Sequence, residues 1–346
     1  MKINMVQATE TPKLSIIVPV KNMARTVRDT VESLLELDYP EDKLEIIFVD
    51  GRSTDETLEI ISQYPVKLIE QEGKGLNGAR NTGIKYSNGD IIAYTDGDCV
   101  VPQNWAKRIA LNFTDQNVGF VGGTMEGYDK RNPLSNYMDE TFFQVTPGFR
   151  VRIETTELEL MQFPAGANMA FRRSALARIQ FFDENINYGF DDLQPVEEMG
   201  FKGFRIVLDP RVRVRHQHRT TLAGLLKQHF NYGRGGTLLF VNKRASILAH
   251  WFSTFLIFSV AFLSVFLFLV YLGLKIDHPL PINLASGSFG LFYAVFSIYY
   301  IPVSIKSRKF WKIILYPPLD ILRGLAFTFG GVYQLFKSLS RKVIMK

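Results

Sequence analysis

Residues 251–274 contain no charged side chain, and a run of that length spans a bilayer as a helix. Lipid leaves the backbone no other hydrogen-bond partners, so only helices and closed barrels cross it. A second uncharged run, 280–305, follows a short turn at 275–279. Basic residues flank the pair, with Lys243 and Arg244 before it and Lys306, Arg308 and Lys309 after it. By the positive-inside rule both flanks face the cytosol. A third apolar stretch, 313–336, holds Pro317-Pro318 and also Asp320 and Arg323, which are spaced to pair on one helix face. Lys312 precedes it, and Lys337, Arg341 and Lys342 follow. It is expected to be an interfacial or re-entrant helix, with a third full span as the alternative.

The rest of the chain is long enough for a globular core. The formal net charge is +6, but much of the basic excess flanks the apolar runs. That placement suits anionic lipid headgroups and argues against nucleic acid as a partner. Cys99 is the single cysteine, so neither an internal disulfide nor a cysteine-built zinc site can form; it is expected to be a packing residue. Residues 1–12 are polar and lack the apolar stretch of a signal peptide. The expected organisation is a tail over 1–12, a cytosolic domain over 13–245 and a multi-pass membrane region over 246–346.

Within 13–245, apolar runs alternate with helical patterns. Strands are expected at 14–20, 44–49, 66–70 and 91–95, with helices at 26–37, 55–63 and 79–86. This alternation predicts an α/β fold with a mostly parallel sheet. Ligands bind such sheets beyond the carboxyl ends of the strands. Asn22, Asp50 and the run Asp96-Gly97-Asp98 all fall there. Side chains at i and i+2 of extended backbone point the same way, so Asp96 and Asp98 can present hard oxygen ligands to Mg²⁺ or Mn²⁺. Arg80 follows a glycine-rich turn and can neutralise diphosphate charge. A helix is expected over 222–232, ending at Gly233-Arg234-Gly235-Gly236, where Arg234 either reaches a diphosphate or caps the helix.

These stretches carry a resemblance. The run from Leu14 through Pro19 to Asn22, Asp50 to Asp55, Gly78 to Gly83 and Asp96-Gly97-Asp98 match the family 2 glycosyltransferases in order and spacing. So do Gly122 to Glu126, Gly166 to Arg172, Asp191-Asp192, His216 and Tyr232 to Gly235, and the resemblance covers about residues 13–240. It implies a GT-A fold, a UDP- or GDP-sugar donor and a divalent cation. Pro19, Asn22, Asp50, Arg80, Asp96 and Arg234 are implied in donor binding, with Asp50 on the base. Asp98 is implied as the main metal ligand with Asp96, and His216 or His218 as a histidine near the metal or diphosphate. Asp191-Asp192 stands where the family usually has Glu-Asp, which makes Asp192 the implied acceptor base beside Asp191.

The expected reaction is inverting transfer to a lipid-linked or glycan acceptor at the cytosolic membrane face. A polyprenyl- or dolichyl-phosphate sugar synthase is the alternative; its phosphate nucleophile needs no base, so the acid pair favours a hydroxyl. A processive synthase is disfavoured because 228–234 does not match the Gln-x-x-Arg-Trp motif of that group. A nucleotidyltransferase is disfavoured because residues 19–22 lack its glycine-rich loop. A non-catalytic scaffold is disfavoured because every needed carboxylate is present.

Overall fold

β1 (Leu14–Val20) is buried along its whole length, as its largely apolar sequence suits in a central parallel strand. It lies between β2 (Leu44–Asp50) and β4 (Ile91–Tyr94), both parallel to it, and β3 (Lys67–Glu70) closes that edge in parallel with β2. Crossover helices α1 (Val27–Leu35), α2 (Thr57–Ile61) and α3 (Gly75–Lys85) connect these strands. The structure is a computed structural model that describes residues 11–141, 149–159, 163–243, 245–276 and 278–344. Residues 1–10 of the expected tail, Phe142 to Gly148, Arg244 and Asp277 lie outside these.

Past β4 the chain forms β5 (Cys99–Val100), α4 (Trp105–Leu111), β6 (Val118–Gly127), α5 (Pro133–Glu140) and β7 (Ile153–Thr155). Then come β8 (Met169–Arg172), α6 (Arg173–Arg178), α7 (Leu193–Phe201) and β9 (Arg205–His216). The sheet runs β3-β2-β1-β4-β8-β6-β9-β5, with β7 also on β9. The half at β1–β4 is parallel throughout, and β8 enters antiparallel between β4 and β6. Phe48, Val31, Leu34, Ala93, Trp105 and Ile109 pack in one core cluster.

Asn168, just before β8, joins β6 and β9 to α4. Its Oδ1 accepts from Trp105 Nε1 at 2.9 Å, and its Nδ2 donates to Thr124 O at 2.8 Å and Val212 O at 3.0 Å. Asn168→Ala would leave these buried groups unpaired, at about 1–3 kcal/mol each less whatever relaxation recovers. The expected loss is about 2–4 kcal/mol, read as a lower unfolding midpoint of the detergent-solubilised protein.

The chain divides into two compact units. The first holds residues up to Tyr128 together with Val145–Asn187 and Asp191–Gln217, and the second holds Asp129–Gln144, Tyr188–Phe190 and His218–Lys346. In the second unit α8 (Leu222–Asn242) runs straight through the glycines expected to end it. Those glycines serve close packing. A Cβ on Gly233 would sit 1.9 Å from Phe327 O of α11 (Lys312–Ile344), so only glycine lets the two backbones approach this closely. Arg234 is therefore inside a helix rather than at its C-terminus. Among the described residues three helices are long and apolar enough to cross a membrane: α9 (Ile247–Lys275), α10 (Leu280–Ser307) and the Lys312–Ser340 portion of α11.

Asp320 and Arg323 pair at 3.4 Å as their spacing suggested, and both are fully enclosed in this unit. Buried charges are tolerated only when paired and hydrogen-bonded. Tyr137 donates its hydroxyl to Asp320 Oδ1 at 2.7 Å and accepts from Arg323 Nη1 at 3.0 Å. Thr141 relays in the same way, at 2.5 Å and 2.6 Å. Arg323 Nε donates to His229 Nε2 at 2.8 Å, so His229 is neutral with its proton on Nδ1, facing Leu225 O at 2.9 Å. At the start of α11, Lys312 Nζ meets Glu140 of α5 at 2.6 Å.

Candidate active site

Beyond β4 the chain turns through Asp96-Gly97-Asp98 into β5, and β5 pairs antiparallel with the end of β9, Cys99 opposite His216. Gln217 N donates to Asp98 O at 2.9 Å, and Tyr128 N donates to His216 O at 2.8 Å. These backbone bonds fix the side chains, placing His216 Nε2 3.3 Å from Asp98 Oδ1. Cys99 offers its sulfur to the same cluster, but burial, then the charges of Asp96 and Asp98, push its thiol well above its usual pKa. It stays a protonated packing residue, as expected. One carboxylate oxygen and one imidazole nitrogen at this separation, with Asp96 adjacent, form a mixed donor set suited to a divalent cation. Burial, then the charge of Asp98, raises the Asp96 carboxyl above the ordinary range, and a cation bound there would offset both.

α3 organises the other half of the site. It starts at Gly75, four residues before the sequence pattern suggested, so Asn77 and Asn81 stand one turn apart on it. Asn77 Nδ2 donates to Asp183 O at 2.9 Å and Asn81 Nδ2 to Phe182 O at 2.9 Å, while Phe182 N donates back to Asn81 Oδ1 at 3.1 Å. Lys74 N donates to Glu184 Oε2 at 2.9 Å. Residues 182–186, which lead towards Asp191, are thus tied to α3. Arg80 is only 3% exposed. Its Nη1 lies 2.6 Å from Asp191 Oδ2 and 2.8 Å from Asn77 Oδ1, and its guanidinium lies over the Phe182 ring. Burial opposes the charge on Arg80, but Asp191, Asp192 and Asp96 outweigh it and raise its pKa.

Asp192 rests against the backbone of Gly166. A Cβ on that glycine would lie 2.2 Å from Asp192 Oδ2, so the carboxylate occupies the space a side chain would fill. Burial, then the charge of Asp191, raises Asp192 from 3.8 to about 6.

At the end of β2, Asp50 accepts from Ser53 N at 3.0 Å. Asn22, at φ 55°, accepts from Thr54 N at 2.8 Å and donates its own N–H to Ser53 Oγ at 2.9 Å. The loops after β1 and β2 are thereby linked. Pro19 is buried inside β1. The first unit therefore gathers Asp96, Asp98, His216, Arg80, Asp191 and Asp192 around one locus and places Asn22 and Asp50 at neighbouring strand ends. His218 and Arg234 belong to the second unit. There His218 Nε2 lies 2.9 Å from Asp139 Oδ1, and the Arg234 guanidinium carbon lies 3.5 Å from the Tyr188 ring centre.

The sequence model described as Glycosyl transferase family 2 matches residues 15–180. These residues form a family 2 glycosyltransferase domain. Glycosyltransferase AglE of Haloferax volcanii is 38% identical over 121 residues, covering 33% of this chain and 40% of AglE. The probable glycosyltransferase YdaM of Bacillus subtilis is 28% identical over 189 residues, covering 51% of this chain and 44% of YdaM. The chain thus spans less than half the length of these two relatives. Among solved structures, the mannosyltransferase PcManGT from Pyrobaculum calidifontis, in complex with GDP-Man and Mn²⁺, superposes with a TM-score of 0.58 at 21% identity. It covers 95% of this chain and 88% of that one. The family 2 domain accordingly has the GT-A fold, followed, among the described residues, by three helices long and apolar enough to span a membrane.

Proposed function

We propose that the chain is a membrane-bound, inverting glycosyltransferase. It would move a sugar from a nucleotide-diphospho-sugar to a hydroxyl of a lipid-linked or glycan acceptor at the cytosolic membrane face. The observation that carries this reading is Asp192. It is a half-buried carboxylate with a raised pKa, seated on Gly166 and grouped with Asp96 and Arg80. A carboxylate poised near neutral pH is suited to take a proton from an attacking hydroxyl.

In this mechanism the acceptor oxygen attacks the anomeric carbon while the bond to the nucleotide diphosphate breaks, and the hydroxyl proton passes to Asp192. Asp98, Asp96 and His216 would hold Mg²⁺ or Mn²⁺, which when bound supplies positive charge beside the departing diphosphate. Arg80 serves the base rather than the diphosphate. Buried against Asp191, Asn77 and Phe182, it compensates the clustered carboxylates and holds Asp191 in place. Asn22 and Asp50 contact the nucleoside. AglE and YdaM are both named as glycosyltransferases, and PcManGT was solved with GDP-Man and Mn²⁺; these names support a nucleotide-sugar donor. Lys243 before α9 and Lys306, Arg308 and Lys309 at the end of α10 support a cytosolic placement of both flanks.

A membrane assay tests this reading. Membranes containing the protein would be given UDP- and GDP-sugars with Mn²⁺, and either bare polyprenyl phosphate or a polyprenyl-linked sugar. Sugar added to the polyprenyl-linked sugar is the expected result. Turnover on bare polyprenyl phosphate alone would replace the hydroxyl nucleophile with a phosphate and leave Asp192 without its assigned task.

A further inference from the structure

We propose that Arg52 and Glu70 make the nucleoside site selective for guanine, so that the donor is a GDP-sugar. This rests on the nucleotide-sugar reading above. A cleft of about 250 Å³ opens at the end of β2 and β3, lined by Asp50, Arg52, Leu58, Leu68 and Glu70 among others. Asp50 and Glu70 are direct partners in the β2–β3 ladder, so their side chains leave the sheet on the same side. Leu58 and Leu68 give the cleft apolar surface for a flat ring.

The polar groups of this cleft are unequally committed. Both Asp50 carboxylate oxygens take hydrogen bonds from the Ser53 backbone N–H, and Oδ1 also takes the Ser53 hydroxyl. Arg52 sits in the left-handed region at φ 64°, a turn that brings its guanidinium to Glu70, Nε to Oε1 at 3.0 Å. Among the described residues that contact is the one polar partner of either side chain, leaving Glu70 Oε2 and both Arg52 Nη groups available. The two side chains are 77% and 69% exposed, and an ion pair so open to water contributes little to stability. Fold stability therefore does not explain why it stands at the mouth of the cleft.

Base recognition does explain it. The pair presents a carboxylate acceptor beside guanidinium donors. Guanine offers the complement along one edge, with N1–H and the N2 amino group as donors and O6 as acceptor. The carboxylate takes the two N–H groups and Arg52 donates to O6. Uracil offers one N–H between two carbonyls, so binding the same way sets a carbonyl oxygen against the carboxylate. Each charge-assisted hydrogen bond that one base makes and the other cannot is worth about tenfold or more in affinity.

Calorimetric titration of the full chain in detergent with GDP, UDP and IDP, each with Mn²⁺, tests the assignment. IDP lacks the N2 amino group and isolates its contribution. GDP is expected to bind at least about tenfold tighter than UDP, with IDP between them. Glu70→Gln should abolish the preference by weakening GDP while leaving UDP within about twofold; because Glu70 is exposed on an edge strand, the variant retains the fold, checked by an unchanged unfolding midpoint. UDP binding as tightly as GDP, or a GDP preference that survives Glu70→Gln, overturns the guanine assignment and leaves the nucleotide-sugar reading intact. If none of the three nucleotides binds, that broader reading falls and the assignment falls with it.

Discussion

Replacing Asp192 by Asn is expected to lower transfer to a hydroxyl acceptor by about 10²–10⁴-fold, the usual contribution of a positioned general base. Binding of the nucleotide sugar should stay nearly unchanged, because the side chain keeps its shape against Gly166. Single-turnover rates set beside calorimetric donor affinities separate the two effects. The wild-type rate also carries a sign. Asp192 is raised to about 6, and only its ionised form accepts the proton, so the rate falls as pH drops through about 6 and levels off above it. The Asn variant should have lost that acid limb from its residual activity. A limb that persists in Asp192→Asn would assign the titration to another group and remove Asp192 from the role of base.

Asp98→Ala is also expected to be strongly damaging, for a different reason. The substitution removes the carboxylate that faces His216 at 3.3 Å, and with it the proposed principal anchor of a divalent cation. Loss of one preorganised electrostatic stabiliser of this kind costs about 10²–10³-fold in rate. Mn²⁺ affinity should fall together with turnover, which Asp192→Asn should not cause. In the wild type a chelator should abolish activity and added Mn²⁺ restore it. Undiminished Mn²⁺ binding by Asp98→Ala, followed by electron paramagnetic resonance, would move the metal away from this cluster.

Much of this site was legible because carboxylates at strand ends betray themselves by position. Asp50, Asp96 and Asp98 each terminate an apolar run, and an α/β alternation tells where such ends converge. What hid from the sequence depended on long-range register. Nothing local says that Cys99 pairs with His216, so His216 and His218 looked equivalent until the ladder separated them. Arg80 looked like a phosphate ligand because a glycine turn precedes it. Its burial against Asp191 follows from residues 182–186 folding back onto α3, a contact more than a hundred positions away in sequence. Asn77 and Asn81 escaped notice because the glycines at 75 and 78 obscured the start of α3; a helix drawn from Gly75 would have shown them as neighbours on one face. Gly233 and its neighbours read as a helix end because glycine usually is one, whereas tight contact with α11 gives them another purpose.

The buried charges at Asp320 and Arg323 bear on the order in which the polypeptide can mature. Their hydroxyl partners, Tyr137 and Thr141, leave the ribosome well before α11 does. Until α11 arrives, α5 lacks its counterpart, and Glu140 lacks Lys312. A chain cut after residue 245 would keep that gap permanently. The early-made segment thus waits on the late-made one, and this polar cluster closes only when α11 has been delivered.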